Sequence, residues 1–295
     1  VYSNSFLQYN LECWIVIDDI EIECSGSPGV GKNLTINIFS GDQSTTNTGS
    51  NPKNRTSISY FMPSVSAISG AGSREASTSG GQTVSIDGNY FGPMKTPSSL
   101  ITVTYGKYPD AWDSSSYFFP PYVAACTIFA AHAQLVCTTS PGTGKNHSWQ
   151  VTIAGQSSPF AHFGTSYGAP IIFTLDDTMY MPMNSGLTIG GETVVITGRN
   201  FGPLAIPEKS RIQATYGGKK GESEITFFAS KCNVTVPHTE IRCFSGEGAG
   251  AQQPWTILVD GQTSISPSVS YGTPKIFSLS GIGSFQANGN GGELV

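Results

Sequence analysis

The stretch Gly26-Ser27-Pro28-Gly29-Val30-Gly31-Lys32 has the spacing of a phosphate-cradling loop. Such loops work because backbone N–H groups of a glycine-rich turn and a following helix N-terminus point at phosphate, with a lysine and a hydroxyl completing the site. Here Asn33 stands at the hydroxyl position, and Leu34-Thr35-Ile36-Asn37-Ile38 alternates with the period of a strand. The same letters return at Ser140-Pro141-Gly142-Thr143-Gly144-Lys145-Asn146, again running into an alternating stretch, Trp149 to Ile153. A glycine turn that recurs in step with the chain is architecture, and no nucleotide is expected on it.

Other chemistry-bearing residues are scattered. His132 and His238 each sit five residues before a cysteine, where the first repeat has Asp19, and His147 and His162 have no companion cluster. They read as polar turn residues, since a ligand set or a general base needs neighbours. Asp18-Asp19 and Asp176-Asp177 lack the alternating oxygen spacing of a calcium loop. No arranged Ser/His/Asp set is visible. The sequence therefore predicts no enzyme, no cofactor and no metal.

The six cysteines carry more information. They form three pairs, Cys13/Cys24, Cys126/Cys137 and Cys232/Cys243, with one common spacing. The second of each pair ends an alternating run, so it faces inward, and its partner one hairpin back can lie opposite it at disulfide distance. Each bridge would contribute roughly 3 kcal/mol in the chain-entropy model. Six buried thiols are the alternative, and zinc lacks its C-x₂₋₄-C spacing. Three disulfides place the chain in an oxidising compartment, secreted or on a cell surface. Four N-x-[ST] acceptors, Asn33, Asn54, Asn146 and Asn233, fit that setting, and covalent glycans are expected on them. Asn33 and Asn146 occupy the same slot of the repeated turn.

The elements that position these residues follow from composition. Gly 35 and Pro 18 punctuate 295 residues of which only 12% are charged. With no helical period visible, that argues for short strands joined by turns. A net charge of −5 with no basic run argues against a nucleic-acid partner. No apolar run is long enough to span a membrane. Trp149 and Trp255 alternate in register with Val151/Ile153 and Ile257/Val259, which assigns them to a core. Tyr117 to Tyr122 is either an exposed aromatic patch or a cap.

Internal repetition organises the chain. Gly80-Gly81-Gln82-Thr83-Val84 to Gly92-Pro93 matches Gly190-Gly191-Glu192-Thr193-Val194 to Gly202-Pro203. A strand ending in Tyr-Gly follows (Tyr105-Gly106, Tyr216-Gly217), then the cysteine pair and a strand ending in Gly-Gln or Gly-Asp. Each unit closes on Ser-Tyr-x-x-Pro at Ser59, Ser166 and Ser270. A period of about 105 residues is the size of one small β-sandwich. The blocks GGETVVITGRNFGP, TYG, TEIRC and SYGTP resemble the IPT/TIG domain over nearly the whole chain. The resemblance implies an all-β chain of tandem immunoglobulin-like sandwiches, modules of receptors and extracellular repeat proteins that also occur in transcription factors. It brings no catalytic residues.

Four units are expected. Residues 1–62 are the later part of an incomplete module, 63–169 and 170–273 are complete modules, and 274–295 opens a further one. Half a sandwich leaves an apolar face in water. One expectation is therefore polymerisation: Ile276, Phe277, Leu279, Leu294 and Val295 of one copy donate strands to the incomplete module of the next. Strand addition between opposite ends does not close, so it gives an extracellular fibril whose partners are other copies of the chain. The alternative is a window on a long receptor or adhesin ectodomain.

Overall fold

The computed structural model describes residues 1–4, 7–45, 57–107, 122–179, 183–204, 212–217, 226–264, 267–285, 287 and 289–294. The expected acceptor Asn54, the donor position Val295 and the aromatic stretch 117–121 lie outside them. Among the described residues there is no α-helix, only strands and two short 3₁₀ turns. Among the same residues, no helix is long and apolar enough to cross a membrane.

The second module shows the architecture. One sheet orders the strands Ser64–Ser69, Thr83–Asn89, Gln134–Thr138 and Tyr122–Ala130, all antiparallel. The last of these is long enough to serve two sheets. Its beginning pairs with Ile101–Gly106, which pairs in turn with His147–Ile153. Alternation drives the fold: in His147–Ile153, Trp149, Val151 and Ile153 all point inward. Trp149 stacks on Tyr105 at 4.2 Å between ring centres, and Val84, Ile86, Leu135 and Phe91 fill the space between the sheets.

The third module repeats this with Ile171–Asp176, Thr193–Arg199, Glu240–Phe244 and Ser230–Val236 facing Ile212–Gly217 and Gln253–Val259. Trp255 stacks on Tyr216 at 4.4 Å. The strand that serves both sheets is broken here into Thr226–Phe228 and Ser230–Val236, with Lys231 at φ 51° beside the break. Both tryptophans are core residues.

Three disulfides staple one hairpin per module: Cys13–Cys24, Cys126–Cys137 and Cys232–Cys243, with Cα–Cα distances of 4.1, 4.0 and 4.1 Å. Cys13 lies directly opposite Cys24 in the ladder, and Cys126 opposite Cys137. The hairpin turns hold Asp19, His132 and His238 at φ 61°, 62° and 66°, a left-handed turn position.

Among the described residues, the N-terminal unit has a four-stranded sheet, ordered Gln8–Tyr9, Tyr2–Ser3, Leu34–Ile36 and Ser57–Ile58, the stapled hairpin Glu12–Ile17/Glu21–Ser25 and a short hairpin Phe39–Ser40/Gln43–Ser44. No strand corresponding to Thr83–Asn89 lies beside the stapled hairpin among the described residues. The effect is visible at one position: Ile22 is 41% exposed, while its counterparts Leu135 and Ile241 are 0% exposed. At the other end, no strand forms among the described residues of 274–294. Ile276, Phe277, Leu279 and Leu294 are all exposed. A strand needs a neighbour to take its backbone hydrogen bonds.

Candidate functional site: the module junctions

The glycine turns resolve the question their sequence raises. The backbone N–H of the closing tyrosine donates to the second glycine of its module's turn in all three units, Tyr60 to Gly31, Tyr167 to Gly144 and Tyr271 to Gly250, each at 2.9 Å. The tyrosine hydroxyl then reaches under the turn: Tyr60 Oη donates to Ser27 O at 2.6 Å, Tyr167 Oη to Ser140 O at 2.5 Å and Tyr271 Oη to Gly246 O at 3.0 Å. The ring fills the space a side chain would need at the turn's first glycine. A Cβ at Gly29, Gly142 or Gly248 would lie 2.5, 2.8 or 2.5 Å from that tyrosine's hydroxyl. The glycines are there for a tyrosine.

The amides that would have to face a phosphate are committed elsewhere. Gly142 N–H donates to Thr78 O at 2.9 Å and Thr143 N–H to Tyr122 Oη at 3.0 Å. In the first unit Val30 N–H donates to Tyr9 Oη at 2.9 Å.

A second pair of hydroxyls completes the network. Tyr105 Oη lies 2.6 Å from Tyr167 Oη and accepts from Ser140 N–H at 2.9 Å. Tyr216, Tyr271 and Gly246 reproduce this arrangement, with the hydroxyls 2.8 Å apart. Burial is the main reason the Tyr105, Tyr167 and Tyr271 phenols are pushed above their ordinary pKa, and these groups stay neutral donors.

Between the two glycines stands one side chain that leaves its own module. Val30 packs against Gly92 of the second module, where a Cβ would come within 2.4 Å of Val30 Cγ1. Thr143 packs against Gly202 of the third, where a Cβ would come within 2.5 Å of Thr143 Cγ2. Both residues are buried. Each receiving glycine belongs to an Asn-x-Phe-Gly-Pro-like block, and its carbonyl accepts from the hairpin-turn histidine, His132 N–H to Gly92 O and His238 N–H to Gly202 O, both at 2.7 Å.

A second contact holds each linker. Gln156 Nε2 donates to Tyr60 O and Gln262 Nε2 to Tyr167 O, both at 2.8 Å. Both glutamines follow a two-residue hairpin turn with positive φ at both positions, Ala154-Gly155 and Asp260-Gly261. Above the linker the two junctions differ: Phe61 packs against Tyr90 with ring centres 5.0 Å apart, whereas Asn200 Nδ2 donates to Ala169 O at 2.9 Å. The second junction also brings His238 Nδ1 within 3.0 Å of Thr78 Oγ1, across a cleft of about 520 Å³ lined in part by Glu75, Arg199 and Asn200. Burial holds the His238 imidazole below its ordinary pKa.

Sequence reasoning placed the glycine turns in the architecture but did not find Val30, Thr143, Gln156 or Gln262 as contacts between modules. The available signal was the recurrence of Gly-Gln after the same strand. His132 and His238 hold left-handed turn positions, and His238 adds a contact that its sequence context does not show. Asn33, Asn146 and Asn233 are exposed, the first two in the left-handed conformation at φ 54° and 59°. Among the described residues, no group of three or more His, Cys, Asp or Glu could hold a metal.

Several known proteins align with most of this chain. Fibrocystin-L of Mus musculus is 29% identical over 249 residues, which is 82% of this chain and 4% of the relative. The plexin A4 extracellular region aligns over 79% of this chain and 18% of its own at 15% identity and a TM-score of 0.30. FdeC, an Escherichia coli adhesin, aligns over 84% of this chain and 76% of its own at 12% identity and a TM-score of 0.28. The chain thus spans a small fraction of the length of fibrocystin-L and of the plexin region. The profile of the IPT/TIG domain matches residues 63–167 and 178–272. With two copies matched over most of its length, and the same sandwich built twice, the chain belongs to the IPT/TIG domain family.

Proposed function

We propose that this chain is a stretch of an extracellular, non-catalytic ectodomain in which stacked IPT/TIG modules are held at set angles, spacing and presenting the surfaces they carry. The observation that carries this reading is the repeated junction: a buried β-branched side chain plugged against a glycine, and a glutamine bonded to the linker carbonyl at 2.8 Å, occur at both boundaries. Modules on free tethers would have no reason to keep these contacts. Three disulfides support an oxidising setting. The exposed asparagines of three Asn-x-Ser/Thr triplets support glycosylation at Asn33, Asn146 and Asn233.

A second reading is a fibril built by strand donation. It is favoured by the exposed apolar residues of 276–294 and by the open face around Ile15, Ile20 and Ile22. Sheet order weighs against it. The strand directly beside the stapled hairpin is the counterpart of Thr83–Asn89, and only Leu294 and Val295 of the donor segment fall at those positions. Ile276 to Leu279 match the outer strand, Ser64–Ser69, which pairs with that middle strand.

Sedimentation of the glycosylated chain secreted from eukaryotic cells separates the two. A monomer whose mass falls on enzymatic deglycosylation supports the spacer. Concentration-dependent filaments that are lost in Leu279→Asp would establish strand donation.

A further inference from the structure

The two junctions share a geometry and differ in chemistry at matched positions. Val30 and Thr143 are near-isosteric. One γ-methyl of each fills the glycine notch of the next module. At the second junction the other γ group of Thr143, its hydroxyl, donates to Asp260 Oδ2 at 2.9 Å. At the first junction the residue in the place of Asp260 is Ala154, which packs on the same apolar cluster as Val30, together with Leu7. The following strand changes in the same sense: Leu34 is buried at the first junction and His147 at the second. A Cβ at Gly144 would lie 3.1 Å from both Asp260 Oδ2 and His147 Nε2, so the carboxylate and the imidazole converge on one point.

We propose that residues 30 with 154, and 143 with 260, are specificity-determining pairs that match each module to its neighbour. A hydrocarbon knob requires an apolar hairpin turn, and a hydroxyl knob requires a carboxylate there. The proposal rests on the stacked-module reading and deepens it. Mispairing is penalised in both directions. A valine facing Asp260 takes away a donor from a half-buried carboxylate, and a threonine facing Ala154 buries a hydroxyl with no acceptor. A wrong neighbour is thus penalised by a hydrogen bond lost or left unmade, which discriminates more strongly than a lost apolar contact. The surface that would receive the next module carries Ala249 at the knob position. This is a third type, and it distinguishes that face from the two before it.

Hydrogen–deuterium exchange of the full chain tests the coupling, read in segments 142–147 and 258–262. Thr143→Val and Asp260→Ala should each lower protection about tenfold, the scale of one lost hydrogen bond to a charged group. The double variant Thr143→Val/Asp260→Ala, which recreates the pairing of the first junction, should recover to within about threefold of the native chain. Ala154 already holds φ 47° where Asp260 has φ 49°, so alanine is tolerated in this turn. Asp260→Asn keeps an oxygen for Thr143 and should retain protection. The mirror variant Val30→Thr/Ala154→Asp should keep the first junction closed, while Val30→Thr alone should loosen it. Unchanged protection in the strand Thr193–Arg199 controls for misfolding. Losses that multiply in the double variants would overturn the pairing and leave stacking intact. Junction segments unprotected in the native chain would overturn stacking and the pairing with it.

Discussion

At the first junction the knob, the hairpin residue and the residue opening the next strand are Val30, Ala154 and Leu34; at the second they are Thr143, Asp260 and His147. Hydrocarbon seals one, and a hydroxyl bonded to a carboxylate seals the other. Both keep the same notch, the same glutamine bond and the same linker tyrosine. The difference teaches that geometry and specificity are carried by separate residues. Glycine, glutamine and tyrosine fix where the next module sits. The knob and the hairpin turn decide which module is accepted.

The largest test of that separation is to fill a notch. Gly202→Val introduces a Cβ 2.5 Å from Thr143 Cγ2 at a left-handed φ of 91°, so overpacking and backbone strain add. It should cost about 3 kcal/mol or more and open the second junction while the first stays closed. Gly92→Val should do the reverse, and scattering from each variant would show which boundary has loosened.

Removing one buried hydroxyl comes next. Tyr167→Phe removes one hydrogen bond from Tyr105 Oη and one from Ser140 O, an expected loss of about 1–3 kcal/mol in chemical denaturation. The same phenols give a pH signature. Their folded pKa values are raised above the unfolded value near 10, so their contribution is intact below pH 10. Above that pH the unfolded chain gives up protons that the folded chain keeps, and stability falls by about 1.4 kcal/mol per pH unit for each such phenol. Absorbance titration should show these three tyrosines ionising only as the modules unfold.

Gln156→Ala and Gln262→Ala should each cost about 1 kcal/mol at their own junction, with equal effect despite the different knobs. Unequal losses would blur the division between geometry and specificity. The smallest effect is a gain. Trp149 Nε1 donates to Thr165 Oγ1 at 2.8 Å, whereas buried Trp255 Nε1 has no partner among the described residues. The backbone of Val269 pairs with Gln253 in the ladder as Thr165 pairs with His147, and Val269→Thr should stabilise the third module by about 1 kcal/mol in thermal unfolding.

Much of the fold is legible in the sequence because its signals are local or periodic. Alternation at Trp149, Val151 and Ile153 marks one inward face, and one repeated cysteine spacing marks one hairpin. The family blocks recur in order. The junction is less legible because its partners are far apart in the chain: Thr143 meets Gly202 and Asp260, and Val30 meets Gly92. Glycine between prolines and aromatics reads as a turn whether or not it receives a neighbour's methyl group. The phosphate-loop likeness has the same origin. A turn that must pass over a tyrosine ring needs glycine for the reason a turn over phosphate does, which is close approach. The asparagine at the hydroxyl position, the alternation after the lysine and the recurrence of the turn separate the two.

The most direct test is the relative orientation of the two IPT/TIG modules, matched at residues 63–167 and 178–272, measured by residual dipolar couplings on the isotopically labelled full chain. The account predicts that couplings from both modules fit one alignment tensor, and that Gly202→Val splits it in two. Two unrelated tensors in the native chain would mean that the modules tumble independently, and would contradict the set junction on which the proposed spacer function depends.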